Sequence, residues 1–337
     1  MWSGERSTNC SAPIFDILAW DTPDALKIIL SCLVLLICQV SVSIVFLIHR
    51  GTPLVKASGG VLTFLALLSL TGACLSLLLF LGQPGDVLCH LQLPLITIFQ
   101  TIALSIILSI SLQAVTKGQT EELHLINKLQ TFLFEQIFFV TEFPKKVAPH
   151  LHTLQGPGSW LFVLICCAVQ AALCGWFVKE EPSLSEFVAK LNINFERAFL
   201  SCPVSSDKLA VMQGLNCAMA LVSFMSTFMA VKPHHQYNLA RDITFSTLIY
   251  CVIWVIFIPV YTGLTTNILT VSKSKSIVHV YFTLASNLGL MVAYYFPKCY
   301  LLFKNPDYNT PEHFCTFLEG VPPTPPQEEE QQPPPAK

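Results

Sequence analysis

The fold is decided by stretches such as Ile243 to Gly263, which reads ITFSTLIYCVIWVIFIPVYTG and contains no Asp, Glu, Lys or Arg. A helix needs about 20 mostly apolar residues to cross the hydrocarbon core of a bilayer, and this stretch has that length. Of the 337 residues of the chain, 53% are hydrophobic and 12% are charged, whereas an ordinary soluble domain carries about 25% charged residues. The sequence therefore predicts an integral membrane protein.

The same hydropathy pattern recurs along the chain and predicts an all-α fold, a seven-transmembrane helix bundle. The predicted spans are Leu26–Ile48, Gly60–Leu81, Val87–Gln113, Trp160–Val178, Leu209–Val231, Ile243–Gly263 and Ile277–Pro297. We expect residues 1–23 to precede the bundle, residues 24–300 to form it, and residues 301–337 to be a disordered tail. The end of that tail, EGVPPTPPQEEEQQPPPAK, is rich in Pro and Glu and cannot bury enough apolar surface to fold.

An odd number of spans places the two ends of the chain on opposite sides of the membrane. Lys and Arg are modestly more frequent in the loops that are cytoplasmic when the N-terminus is outside, which favours that orientation. The sequon Asn9-Cys10-Ser11 then lies on the luminal side, where Asn9 is a candidate glycosylation site. The predicted orientation is an extracellular N-terminus and a cytoplasmic C-terminus.

Several function classes find no support in the residues. The formal charge of -2 argues against a nucleic acid partner. The histidine pairs in His150–His152 and His234–His235 lack the Cys or acidic companions of a metal site, so no metal, cofactor or catalytic residue is expected. Apart from His90 and His279 near span ends, we expect no ionisable side chain within the bilayer, and this disfavours a transporter.

The chain has 13 cysteines, and most of them lie in spans, where Cys behaves as a small hydrophobe. Cys89, at the outer end of the third span, and Cys202, in the loop before the fifth, both fall on the oxidising side. A disulfide between them is favoured over two free thiols, and Cys10 has no evident partner.

The spans also hold a small set of uncharged polar and aromatic side chains. They are either hydrogen-bonding contacts between helices or the lining of a small-molecule cavity. The candidates for a ligand or modulator pocket are Thr97, Gln100, Asn216, Trp254, Phe257 and Tyr261. Pro259 interrupts the sixth helix beside them, which provides either a pivot or a static bend.

Three particular strings carry a family resemblance: HRGTPLVKASGG at His49–Gly60, PKCY at Pro297–Tyr300 and NTPEHF at Asn309–Phe314. With them, the chain from Trp2 to Phe314 resembles class C G protein-coupled receptors, and among these the taste receptor type 1 group. The resemblance implies a plasma-membrane receptor core that passes ligand binding to a heterotrimeric G protein. It also implies a homodimer, or a heterodimer with another class C taste receptor subunit, and a small-molecule tastant or modulator.

The resemblance assigns roles to residues as well. It places the family's bridge between the third span and the second outer loop at Cys89 and Cys202, and its modulator pocket at the six candidates above. The basic residues of the inner loops would face the G protein, and these are Arg50, Lys56, Lys145, Lys146, Lys232 and Arg241. Residues 1–23 look like the remnant of the family's cysteine-rich linker.

The sequence departs from the family pattern in two places. Measured against the family pattern, we expect the large extracellular ligand-binding domain to be missing. Ala114–Gln136 looks inserted, because joining Gln113 to Ile137 restores a continuous third helix of the family type. We expect transcripts to lack those residues. The alternative functions are a non-signalling fragment that pairs with full-length receptors and another class C receptor, such as a pheromone or calcium-sensing type.

Overall fold

The computed structural model describes residues 14–16, 18–118, 157–180, 197–199, 202, 206–228, 239–264 and 268–304. Seven helices in this part of the chain are long and apolar enough to cross a membrane, which confirms the predicted seven-helix fold. The first six are Pro23–Ile48, Val61–Ser76 with a 3₁₀ turn at Leu77–Phe80, Asp86–Gly118, Pro157–Glu180, Ser206–Phe228 and Leu239–Gly263. The seventh consists of Ile268–Leu290, a π-helical turn at Met291–Tyr295, and Phe296–Lys304; a short helix, Pro53–Ala57, joins the first two spans.

Burial along the first span shows that the bundle is built for lipid. Leu30 is 60% exposed, whereas Gln39 is fully buried. In water this distribution would be unfavourable, but lipid tails are as apolar as Leu, and polar groups gain by facing other helices. Helices are used because they satisfy every backbone hydrogen bond within the segment.

The third span lies at the centre of the bundle and packs against the second, fourth, fifth and sixth spans. Several of its buried hydroxyl side chains are not left without hydrogen bonds in this position, because they donate to carbonyls of their own helix. Ser105 Oγ, for example, donates to the carbonyl of Ile102 over 3.0 Å, and Ser111 Oγ donates to that of Leu108. A central helix with this many neighbours can collect side chains from several spans at one depth.

A disulfide between Cys89 and Cys202 lies at one end of the bundle. We refer to this as the disulfide end, and to the end that contains Ile48, Leu239 and Lys304 as the opposite end. At the disulfide end, strand β1 (Ile14–Asp16) pairs in parallel with strand β2 (Arg197–Phe199).

Gly82 fixes the turn between the second and third spans. Its φ of 91° lies in the left-handed region, which glycine adopts without steric cost. Its N–H donates to the carbonyl of Leu18 over 2.8 Å, and a Cβ built there would lie 2.8 Å from Trp20 Nε1. The turn therefore requires glycine both for its backbone conformation and for the close approach of Trp20.

Several helix boundaries differ from the sequence prediction, among them the end of the seventh helix and the end of the third. The seventh helix continues past Pro297 to Lys304, because the wide π-helical turn at Met291–Tyr295 accommodates the carbonyl that a proline leaves unbonded. The third helix runs to Gly118, past the start of the suspected insertion. The predicted disordered tail was residues 301–337, but residues 301–304 are helical. The rest of that tail and the rest of the insertion lie outside the described residues, so the missing transcript segment stays a prediction.

Candidate ligand site within the bundle

A hydrogen-bonded group in the middle of the bundle joins four spans. Gln213 Nε2 donates to Gln100 Oε1 over 3.0 Å and to the hydroxyl of Tyr250 over 2.6 Å. Tyr250 also lies 3.5 Å from Gln100 Oε1, and Gln100 Nε2 donates to Ser286 Oγ over 3.3 Å. We refer to Gln100, Gln213, Tyr250 and Ser286 as the polar layer. It connects the third, fifth, sixth and seventh spans at one depth.

A second set of contacts ties the third span to the fifth beside the polar layer. Thr101 Oγ1 donates to Asn216 Oδ1 over 2.7 Å, and Asn216 Nδ2 donates to the carbonyl of Thr97 over 3.3 Å. Thr97 and Asn216 are fully buried. Both predicted pocket residues therefore hold helices together in this conformation.

Aromatic side chains stack above the polar layer, towards the disulfide end. The ring of Trp254 lies 6.1 Å from that of Tyr250 and 4.9 Å from that of Phe257, which in turn lies 5.0 Å from Tyr261. Two side chains of the seventh span complete the aromatic cluster. They are Phe282 and His279, whose rings lie 5.3 Å and 6.0 Å from Phe257.

The seventh span carries buried polar atoms beside the polar layer and the aromatic cluster. Within the described part of the chain, His279 Nε2, Thr283 Oγ1 and both amide atoms of Asn287 have no hydrogen-bond partner. Buried polar groups are normally satisfied by protein, by water or by a ligand. With the aromatic cluster, they suit a small molecule that combines an apolar body with uncharged hydrogen-bonding groups.

All six predicted pocket residues are buried inside the bundle. Gln100 lies in the polar layer, Trp254, Phe257 and Tyr261 lie in the aromatic cluster, and Thr97 and Asn216 join the third span to the fifth beside the polar layer. The sequence analysis did not identify Tyr250, the residue that joins the polar layer to the aromatic cluster. The signal was present, because Tyr250, Trp254, Phe257 and Tyr261 recur at the spacing of one helix face.

The other predicted functional residues fall into two groups. Cys89 and Cys202 form the disulfide, while Arg50, Lys56 and Arg241 are exposed at the opposite end. Lys145, Lys146, Lys232 and Asn9 lie outside the described residues.

The sequence predicted that the spans contain no buried Asp or Lys, and the structure differs at one pair of residues. Asp242 and Lys298, which the sequence placed in an inner loop and in the segment after the last span, are 4% and 0% exposed, and their charged atoms lie 3.6 Å apart. The sixth helix begins at Leu239 and the seventh ends at Lys304, so both residues belong to helices. Hydropathy could not show this, because the two charges are far apart in the sequence and compensate each other only in the fold.

The fold and its disulfide can be compared with known proteins. A family model described as "7 transmembrane sweet-taste receptor of 3 GCPR" matches residues 18–298. The chain is 34% identical to taste receptor type 1 member 3 of Homo sapiens over 315 residues, which is 93% of this chain and 33% of that protein. It is 32% identical to the Felis catus receptor of the same name over 319 residues, with the same two coverages.

A relative with a different name shows how far the likeness extends. The chain is 27% identical to G-protein coupled receptor family C group 6 member A of Carassius auratus over 316 residues, which is 93% of this chain and 32% of that protein. The chain thus spans about a third of the length of these curated relatives. Because the family model matches most of the chain and the fold has the expected seven helices, the chain belongs to the class C family of seven-transmembrane G protein-coupled receptors.

Proposed function

We propose that this chain is the membrane transducer of a taste-type class C receptor and that it acts at the plasma membrane. In this proposal the disulfide end and the N-terminus face the extracellular side, where disulfides persist. The opposite end and the C-terminus face the cytoplasm and a heterotrimeric G protein. Closure of an extracellular domain, its own or a partner's, or a small molecule bound between the spans shifts the bundle between two states.

One observation carries the proposal: Tyr250 connects the aromatic cluster to the polar layer. Trp254 stacks on Tyr250 one helical turn away, and Tyr250 is hydrogen-bonded to the third and fifth spans. A ligand that repacks Trp254 therefore changes the contacts of the sixth span with its neighbours. Pro259 lies just above, where the missing backbone hydrogen bond lets the helix bend.

The continuous sixth helix supplies the path to the cytoplasmic side. It runs unbroken from the aromatic cluster to Leu239 at the opposite end, so a tilt at Tyr250 displaces Arg241. Packed helices have discrete arrangements, and a ligand shifts the balance between them only by its differential affinity. The exposed Arg50, Lys56 and Arg241 make the opposite end basic, and with Lys145, Lys146 and Lys232 they are the proposed G protein surface.

The ligand and the receptor partner follow from the site and the relatives. Among the described residues, no member of the polar layer or of the aromatic cluster is Asp, Glu, Lys or Arg, although Lys275 Nζ lies 5.1 Å from the centre of the Tyr261 ring at the edge of the cluster. This composition favours an uncharged tastant or modulator with an aromatic or aliphatic body. The identity to receptors named taste receptor type 1 member 3, higher than to the family C group 6 receptor, supports a taste receptor over other class C types. A second copy or another class C taste subunit is the proposed dimer partner.

The proposal is tested in cells that lack taste receptors. The chain is expressed alone and with a full-length class C taste subunit, and G protein activation is followed by energy transfer while a panel of uncharged small tastants is applied. We expect Trp254→Ala to reduce the potency of an active compound by tenfold or more, about 1.4 kcal/mol of coupling. Trp176→Ala is the matched control, because Trp176 is 43% exposed on the outer surface of the fourth span.

Two outcomes contradict the proposal. If no compound produces a response in either setting while the chain reaches the cell surface, the chain is a non-signalling partner of full-length receptors. If Trp254→Ala and Trp176→Ala behave alike, ligands do not act through the aromatic cluster.

A further inference from the structure

A buried ion pair ties the sixth span to the seventh at the opposite end of the bundle. Lys298 Nζ lies 3.6 Å from Asp242 Oδ2, and the two side chains are 0% and 4% exposed. The pair belongs neither to the polar layer nor to the aromatic cluster of the candidate ligand site. It lies at the end of the sixth span that the proposed function expects to move.

The contacts of Lys298 extend to the connection between the first two spans. Its ammonium group donates to the carbonyl of Tyr294 and lies 3.4 Å from the centre of the Tyr294 ring. The hydroxyl of Tyr294 donates to the carbonyl of Ser58 over 3.1 Å, and Thr63 Oγ1 donates to that same carbonyl. One continuous set of contacts therefore joins the sixth span, the seventh span and the segment between the first and second spans.

Charged side chains are rare within membrane helices and usually mark function, because removing them from water is costly. A buried pair also adds little net stability compared with apolar side chains of similar size. Asp242 has a second cation nearby, since Arg241 Nε lies 3.9 Å from its other carboxylate oxygen and is 49% exposed. If the sixth span moves outward, Arg241 remains available to Asp242, so the contact with Lys298 can break without leaving the carboxylate uncompensated.

We propose that the Asp242–Lys298 pair is a conformational lock that holds the opposite end of the bundle closed through Tyr294 and Ser58. The lock rests on the proposed function only in that its open state is the state that engages the G protein. Opening separates the end of the sixth span from the seventh and exposes the side chains that now face it.

The lock is tested on the full chain in lipid nanodiscs, without ligand or G protein. Ala240→Cys introduces a reporter two residues from Asp242, at a position that is 6% exposed. Its reaction with a membrane-impermeant thiol reagent is timed and quantified by mass spectrometry of the peptide, so that the native cysteines do not interfere. In the closed state the introduced thiol is shielded, and its reaction rate follows the open fraction.

Two single substitutions and their combination separate a lock from a structural contact. We expect Asp242→Asn and Lys298→Met each to raise the labelling rate at least tenfold, which is a shift of about 1.4 kcal/mol in the opening equilibrium. The combined variant removes both charges of the buried pair, so neither is left buried without its partner, and it carries the test if a single variant does not fold. It keeps the raised labelling rate if the pair is a lock.

The matched control is Lys27→Met, which removes the lysine of an exposed pair, 3.4 Å from Asp24, in the first span. It should label at the parent rate. The lock is overturned if the combined variant also labels at the parent rate, or within twofold of it. Because labelling needs no G protein, a chain that fails to signal still gives a clear result, and this separates failure of the lock from failure of the proposed function.

Discussion

Removal of a single oxygen atom by Tyr250→Phe tests whether the polar layer holds the bundle together. The hydroxyl accepts from Gln213 Nε2 over 2.6 Å and lies 3.5 Å from Gln100 Oε1. A side-chain amide has two N–H donors, and Gln213 uses one for Gln100. Without the hydroxyl, the other donor is left buried and unpaired.

The expected cost follows from that unpaired donor. Leaving a buried donor without a partner costs about 1–3 kcal/mol, while hydrogen bonds between membrane helices average about 0.6 kcal/mol with a maximum of about 1.7. We expect Tyr250→Phe to lower the free energy of unfolding by about 1–2 kcal/mol, since the site is fully buried. For a chain of this size that corresponds to a fall in Tm of about 1–3 °C.

The measurement is thermal unfolding in detergent, followed with a thiol-reactive dye that labels buried cysteines such as Cys174 as they become exposed. Tyr281→Phe is the control, because Tyr281 is 38% exposed on the outer surface of the seventh span. Gln213→Met and the double variant complete a mutant cycle, and the double variant should cost about 0.5–1.5 kcal/mol less than the sum of the two single variants. Equal Tm values for Tyr250→Phe and Tyr281→Phe, or strict additivity in the cycle, would refute the reasoning.

Two further predictions concern the disulfide end. We expect the same loss of stability, about 2–4 kcal/mol, for Cys89→Ser, for Cys202→Ser and for the double variant, because each removes the same cross-link. The same unfolding assay measures it. A double variant that is clearly less stable than either single variant would show that the two cysteines have separate roles. We expect Gly82→Ala to destabilise the chain by at least about 1 kcal/mol, because the position has a positive φ and the added Cβ would meet Trp20. The control is Gly85→Ala, whose added Cβ has nothing within 4 Å and which should unfold at the parent temperature. Equal melting temperatures of the two alanine variants would contradict this prediction.

Hydropathy was sufficient to predict the seven spans. A span must satisfy its backbone internally and match the thickness of the bilayer, so its length and apolar composition are visible in one dimension. For the same reason, stretches such as Ile243–Gly263 could be recognised without any tertiary information. The exact ends could not be predicted, because a proline usually ends a helix, whereas Pro297 is accommodated by the π-helical turn before it.

The candidate ligand site was only partly predictable. Polar and aromatic residues within spans are conspicuous, so Gln100 and Trp254 could be named from the sequence. Whether such a residue lines a cavity or bonds to another helix depends on the rotation of each helix, and this is set by packing. Tyr250 became important only when Gln213 of the fifth span was found beside it.

The amino-acid sequence by itself determined that the chain crosses the membrane seven times, because lipid imposes a rule that each segment obeys alone. The tertiary structure decided what the polar and charged residues do. Asp242 and Lys298 are ordinary solvated charges when read separately, and only the packing of the sixth span against the seventh places them 3.6 Å apart, away from water. That difference arises because the energy of a charge inside a membrane protein depends on its partner, and the partner is known only from the fold.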